Sequence, residues 1–317
     1  MNEADIYRIT RMLPWGEWFS PTLTIRVNVA AITCPLRSLD FITLKIKDAI
    51  CDKFHKRTNK RPSVDTATPD VRVHGFLDAQ KFTLYLDTSG DALIKRDLRK
   101  PSGEAPLREN LAAGILQLAG WKPGAPLLDP MCGSGTFLLE AVQMSLNIAP
   151  GTGRSFAFEK LKKFDDVLWN KLKRKSVARQ KPKLPQPIYS NDLYGNALVD
   201  AHANLSMAGF AEIVVLKQGN ILEIPAPASA GILITNPPYG KRTSEQKELT
   251  ELYPKLGDVL KKKFIGWNAY FFTADTLLPK LIRLAASRRV PLFKTALECR
   301  LLEYKMVAGE NEKDKES

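Results

Sequence analysis

Two short runs hold the residues whose types and spacing could do chemistry: Asp129-Pro-Met-Cys-Gly-Ser-Gly-Thr136 and Asn236-Pro-Pro-Tyr239. In the first, Gly133 and Gly135 let the backbone approach a ligand closely, and Thr136 opens a helix whose free N–H groups favour an anionic or polar group. No Gly-Lys-Ser/Thr ending follows, which excludes the phosphate-gripping loop of ATP-hydrolysing proteins. In the second run, Pro237 and Pro238 fix the backbone so that a carbonyl points outward. The Asn236 side-chain oxygen and the Pro237 carbonyl can then accept both hydrogens of an exocyclic amino group, and Tyr239 can stack on a base swung out of its helix. Such a clamp works by aiming a nitrogen lone pair, without a strong base and without a metal.

Both runs must sit at strand ends. The apolar Ala125-Pro-Leu-Leu128 precedes the glycine turn and the amphipathic Phe137 to Met144 follows it, the pattern of strand, turn and helix. Gly231-Ile-Leu-Ile-Thr235 precedes the proline run and reads as a buried strand. From Ala105 onward helix and strand alternate. Helices are expected over 107–119, 136–146, 197–209, 249–264 and 279–287, and strands over 127–129, 188–192, 212–217, 231–235, 269–273, 291–294 and 298–304. This alternation predicts an α/β fold with a mainly parallel sheet covered on both faces, and the paired last strands predict an antiparallel edge. In such sheets ligands bind beyond the carboxyl ends of the strands near a switch in strand order, so both runs should open onto one cleft.

The spacing D-P-x-x-G-S-G-T resembles the first motif of class I S-adenosylmethionine methyltransferases, whose sheet is Rossmann-like. The resemblance implies that Asp129 orients the amino group of S-adenosyl-L-methionine, that Gly133, Ser134, Gly135 and Thr136 form the pocket floor, and that Met131 and Cys132 also belong to the cofactor site. Cys132 serves there as a small side chain and not as a nucleophile. Asp192, after the next strand, is placed to accept hydrogen bonds from the ribose hydroxyls; a turn or helix-cap role is the competing reading. Asn220 stands where the family usually has an Asp touching the adenine amino group, and its amide oxygen can accept the same bond without charge. Ile221 would pack on the adenine face, and Asn236 would border cofactor and acceptor alike. Asn-Pro-Pro-Tyr serves enzymes that methylate adenine N6, guanine N2 or a glutamine amide, so the acceptor stays open at this point.

The first 88 residues read as a small α+β module. Thr22 to Val29 alternates as a strand, Leu39 to Phe54 has helical spacing, and 71–76 with 82–86 reads as a hairpin. The 317-residue chain carries a formal charge of +13, which favours a polyanionic partner over a small metabolite. Cations concentrate from Lys45 to Arg61 and from Lys160 to Lys183, where ten Lys or Arg face two Asp. The latter run lies in an insertion between Leu146 and Ile188 that carries a Trp169-containing helix. Its readings are a substrate-side element or simple packing. No apolar stretch approaches the roughly 20 residues of a membrane span, and no leader pattern opens the chain, so a cytoplasmic location is expected. Four scattered cysteines and three histidines give no metal spacing and no disulfide framework.

Taken together, Asp87-Thr-Ser-Gly-Asp-Ala-Leu-Ile-Lys-Arg96, Ala105-Pro-Leu-Arg-Glu-Asn-Leu-Ala-Ala113, the glycine turn, Ile148-Ala-Pro-Gly151 and Asn236-Pro-Pro-Tyr-Gly-Lys-Arg242 resemble the bacterial 23S rRNA guanine-N2 methyltransferases of the RlmL type. The resemblance implies a partial THUMP-like RNA-binding module over 1–88, a linker over 89–105, a methyltransferase domain over 106–308 and a disordered tail over 309–317. It further implies methylation of guanosine N2 in RNA, with 23S rRNA or a ribosomal precursor as partner. The opening ferredoxin-like segment and the second methyltransferase domain of some relatives are expected to be missing. Lys241 stands where the family often has Glu. The competing readings are a tRNA guanosine-N2 enzyme, a DNA adenine-N6 enzyme, and an inactive RNA-binding or ribosome-assembly protein. Oligomeric state is not legible.

Overall fold

The computed structural model describes residues 2–33, 36, 38–93, 107–238 and 243–307, with the side chains of 243–245 left aside. The chain forms two units, one of residues 1–95 with 151–174, the other of 96–150 with 175–317.

The first unit opens with α1 (Glu3–Met12), started by a capping box in which Asn2 and Asp5 satisfy each other's backbone N–H groups, and the short α2 (Trp15–Trp18). Neither helix was expected from periodicity. Strand β1 (Ile25–Ala31), helix α3 (Leu39–Thr58) and the hairpin β2 (Val71–Leu77) and β3 (Phe82–Leu86) follow as the alternation predicts. β1 runs parallel to β2, and β2 antiparallel to β3. Trp15, Phe19, Ile42, Ile46, Phe54 and Val73 make its core.

Sequence order places the insertion within the methyltransferase domain, but 151–174 belongs to the first unit. The Phe158 N–H donates to the Thr88 carbonyl at 2.9 Å, the Lys162 N–H to the Trp18 carbonyl at 2.8 Å, and Lys160 pairs with Asp70. Phe156 and Phe158 stack, and Trp169, standing on α6 (Asp166–Ala178), meets both edge-on. These contacts favour the packing reading for the first part of the insertion, because its backbone and aromatic rings are consumed within the module.

The second unit is a seven-stranded sheet with α4 (Glu109–Leu118), β4 (Leu127–Asp129), α5 (Thr136–Ser145), β5 (Ile188–Asp192), α7 (Gly195–Met207), β6 (Val214–Gln218), β7 (Gly231–Thr235), α8 (Thr243–Lys263), β8 (Trp267–Thr273), α9 (Leu278–Leu281), β9 (Arg288–Lys294) and β10 (Leu297–Lys305). Strand order is β6-β5-β4-β7-β8-β10-β9, parallel through β8 and antiparallel at β10 and β9. The period of two along β8 feeds both faces. Tyr270 and Phe272 pack with α4, α5 and α7, whereas Trp267, Ala269 and Phe271 pack with Tyr253, Leu256, Leu260 and Phe264. Each such large apolar side chain contributes about 1.5–3 kcal/mol when buried.

One expected helix is largely absent. Instead of running over 279–287, the chain makes a single turn at α9, because Arg283 adopts the left-handed region at φ 59°. By Ser287 its N–H already donates to the Glu303 carbonyl at 2.8 Å, so the chain has joined the sheet edge. Similarly, residues 211–213 form a tight turn before β6 and not the start of the strand. Most of the expected linker, 94–105, and the expected tail lie outside the described residues.

Candidate active site

The chain leaves β4 at the sheet centre, builds β5 and β6 to one side, then crosses to β7 on the other. That reversal opens a crevice between β4 and β7 at the carboxyl ends of the strands. A cleft of about 700 Å³ is found there, lined among others by Met131, Gly133, Asp192, Asn220, Asn236 and Pro238.

The glycine turn is held from within and from its neighbours. The Gly135 N–H donates to the Cys132 carbonyl at 2.9 Å, and Gly133 and Gly135 take φ of 51° and 78°, open to glycine at little cost. A Cβ at Gly133 would meet nothing within 4 Å, so the turn leaves open space on the cleft side. At Gly135 a Cβ would come within 3.3 Å of the Ala201 Cβ. The Cys132 N–H donates to the Asn191 carbonyl at 3.1 Å, and Asn204 Nδ2 donates to the Ser134 carbonyl at 3.0 Å. Thr136 is buried at the first position of α5.

Asp129 is 1% exposed at the end of β4. Burial pushes its carboxyl up to about 7; hydrogen bonds from the Thr235 side chain and the Met131 N–H oppose the rise, and the Asp192 charge adds to it. Burial likewise raises the Cys132 thiol, which keeps it protonated. Asp192 ends β5 with both carboxylate oxygens engaged. Gly133 N–H donates to Oδ2 at 2.9 Å and Tyr194 N–H to Oδ1 at 3.0 Å. The ribose and turn readings of Asp192 are therefore compatible, since each carboxylate oxygen keeps a second lone pair. The Asn220 Oδ1 accepts from the Leu222 N–H at 3.0 Å, which turns the chain after β6. Ile221 is buried beside it and lines the cleft.

After β7, Asn236 is half-buried, Pro237 buried and Pro238 exposed. Tyr239 and Lys241 lie outside the described residues. Thus Asp129 and the glycine turn, Asp192, Asn220, Ile221, Asn236 and Pro238 all converge on the ends of β4 to β7. Residues that sequence reading missed include Leu193, Tyr194 and Gly219, and Glu248, Leu249 and Leu252 on α8, which line the same cleft. Asn204 is also new, and no local signal in the sequence points to it, because its partner Ser134 lies 70 residues away. Among the described residues no group of His, Cys, Asp or Glu is placed to hold a metal, and no helix is long and apolar enough to cross a membrane. Cys51, Cys132 and Cys299 are buried free thiols.

This strand order, with a glycine turn after its first strand and Asn-Pro-Pro after its fourth, defines a class I methyltransferase that uses S-adenosylmethionine. The open backbone at Gly133, the two acids and the apolar Ile221 fit such a cofactor. The chain belongs to the UPF0020, RMKL-like methyltransferase family, whose model matches residues 96–303, and residues 1–87 match the THUMP domain. It is 38% identical over 306 residues to a Synechocystis sp. protein named "Putative RNA methyltransferase slr0064", covering 96% of this chain and 80% of that one. It is 37% identical to the ribosomal RNA large subunit methyltransferase K/L of Aeromonas hydrophila, covering 96% of this chain but 45% of that protein, so it spans less than half of that relative. Among solved structures, SMU.472, crystallised with SAH, superposes with a TM-score of 0.85 at 28% identity over 96% of this chain and 80% of that one.

Proposed function

We propose that the chain methylates the exocyclic N2 amino group of a guanosine in RNA, with 23S ribosomal RNA as substrate. The observation that carries this reading is that Asn236 and Pro238 line the same cleft as Gly133, Asp192 and Asn220. An amine clamp and a nucleoside pocket thus share one opening. The THUMP match and the names of the Synechocystis and Aeromonas relatives support RNA, and the ribosomal name supports 23S rRNA.

In this reading Asp129 holds the cofactor's ammonium, and the backbone of Gly133 to Thr136 forms the floor against its methionine portion. Asp192 accepts from the ribose hydroxyls through its remaining lone pairs, Asn220 faces the adenine amino group and Ile221 covers the ring. When bound, the cofactor supplies an electrophilic methyl on a sulfonium centre. Asn236 and the Pro237 carbonyl accept the two N2 hydrogens and present the nitrogen lone pair, and Tyr239 stacks on the base. The gain comes from orientation, for which intramolecular analogues reach about 7–11 kcal/mol. The methylated nitrogen becomes strongly acidic and gives its proton to water. Nucleoside mass spectrometry of rRNA and tRNA from a deletion strain, followed by mapping, tests the assignment. Loss of N2-methylguanosine at one 23S position is expected; loss of a different modified nucleoside, or of none, overturns it.

A further inference from the structure

Asn-Pro-Pro-Tyr grips any planar amine, so the base must be chosen by another group. Among the described residues the cleft lining has three ionisable side chains, Asp192, Tyr194 and Glu248. Asp192 accepts from the N–H groups of Gly133 and Tyr194, and its remaining lone pairs serve the ribose in the reading above. Tyr194 is 60% exposed and precedes α7, next to Leu193 and Ala197 of the same lining. Glu248 stands on α8, among Leu249 and Leu252, and makes no hydrogen bond or ion pair with any described residue.

A carboxylate without a partner among the described residues, in the cleft that Asn236 lines, repels phosphate, which is a cost in a chain of formal charge +13 that binds a polyanion. It suits a base whose ring nitrogen beside the amine donates. The Watson–Crick edge of guanine presents N1–H and N2–H₂ side by side, whereas adenine presents a bare N1 lone pair beside its N6 amino group. With Asn236 and Pro237 holding the amine, a carboxylate next to it gains a charge-assisted bond from guanine N1–H and meets lone-pair repulsion from adenine N1.

We propose that Glu248 accepts the N1–H of the target guanine and so selects guanine over adenine at the amine clamp. The proposal rests on the guanosine-N2 reading above. Leu249 and Leu252 fix the helix turn that carries it, being buried or half-buried against the sheet-side cluster while Glu248 is exposed to the cleft solvent.

The test uses the full chain, S-adenosylmethionine with a labelled methyl group, and ligated RNA bearing guanosine, 2-aminopurine riboside or adenosine at the mapped position. 2-Aminopurine keeps the N2 amino group and lacks N1–H. Wild type is expected to lose about 10- to 100-fold in kcat/KM on 2-aminopurine, the scale of one hydrogen bond to a charged group. Glu248→Ala is expected to lose about the same on guanosine and nothing further on 2-aminopurine, with cofactor affinity by calorimetry unchanged. Glu248→Gln, which keeps an acceptor oxygen, is expected to retain part of the preference. Independent, multiplying losses for Glu248→Ala and 2-aminopurine would overturn the contact while guanosine methylation stands. Wild-type transfer to adenosine and not to guanosine would instead overturn the parent reading.

Discussion

The backbone N–H of Gly133 donates to Oδ2 of Asp192 at 2.9 Å across 59 residues of sequence. The bond ties the turn after β4 to the end of β5, so these two walls of the cleft are one unit. Replacing Asp192 with Asn sets an NH₂ against one of the two donating N–H groups. The expected result is a loss of about 1–3 kcal/mol in stability, with cofactor affinity weakened in parallel. Denaturant melts and calorimetric titration check both.

Gly133 and Gly135 should separate binding from folding. Both have positive φ, so alanine costs about 1–2 kcal/mol of backbone strain at either site. Only at Gly135 does the new Cβ also crowd Ala201, at 3.3 Å. Gly135→Ala is therefore expected to melt lower than Gly133→Ala, and Gly133→Ala to lose cofactor affinity out of proportion to its stability. Thermal melts with and without S-adenosylmethionine measure the difference.

Asp129 makes the ligand-free protein sensitive to pH. Burial raises its carboxyl from 3.8 to about 7, so the folded state keeps a proton that the unfolded state releases. This contribution is fully present below about pH 4 and is lost as pH rises toward 7, by on the order of a few kcal/mol. Asp129→Asn is expected to flatten the stability profile between pH 4 and 7 while weakening cofactor binding. A cationic ammonium arriving at Asp129 should also release a proton, read as a buffer-dependent binding enthalpy near pH 6.

Asn236→Ala should abolish methyl transfer and leave cofactor affinity nearly intact, because its proposed contact is with the base. Single-turnover transfer and calorimetry on the same preparation distinguish these effects. Lost cofactor binding with retained turnover would contradict the assignment.

The basic run on α6 has no buried residue. Removing the charges of Lys171, Lys173, Arg174 and Lys175 together is expected to weaken RNA binding and to lower the slope of log affinity against log salt by up to about 3. Unchanged affinity across several salt concentrations would reduce the run to a solvated surface.

Sequence alone determined the parts whose signals are local. The β4 strand, its glycine turn and α5 were legible because apolar runs, φ-permissive glycines and helical spacing lie within about twenty residues of one another. The same holds for Asn236 to Pro238, where proline geometry is written into the residues themselves. The helix expected over 279–287 failed for the converse reason: its periodicity was adequate, but pairing of Ser287 with Glu303 and the left-handed Arg283 overrode it. Only the tertiary structure decided that Asn204 supports the Ser134 carbonyl from 70 residues away, and that Asp192 bonds the turn as well as ending its strand. It also placed Glu248 in the lining of the cleft that Asn236 and Pro238 share, and gave 151–174 to the first unit. Such pairings leave no periodic trace, because hydrogen bonds and cleft walls depend on which strand ends the sheet sets side by side.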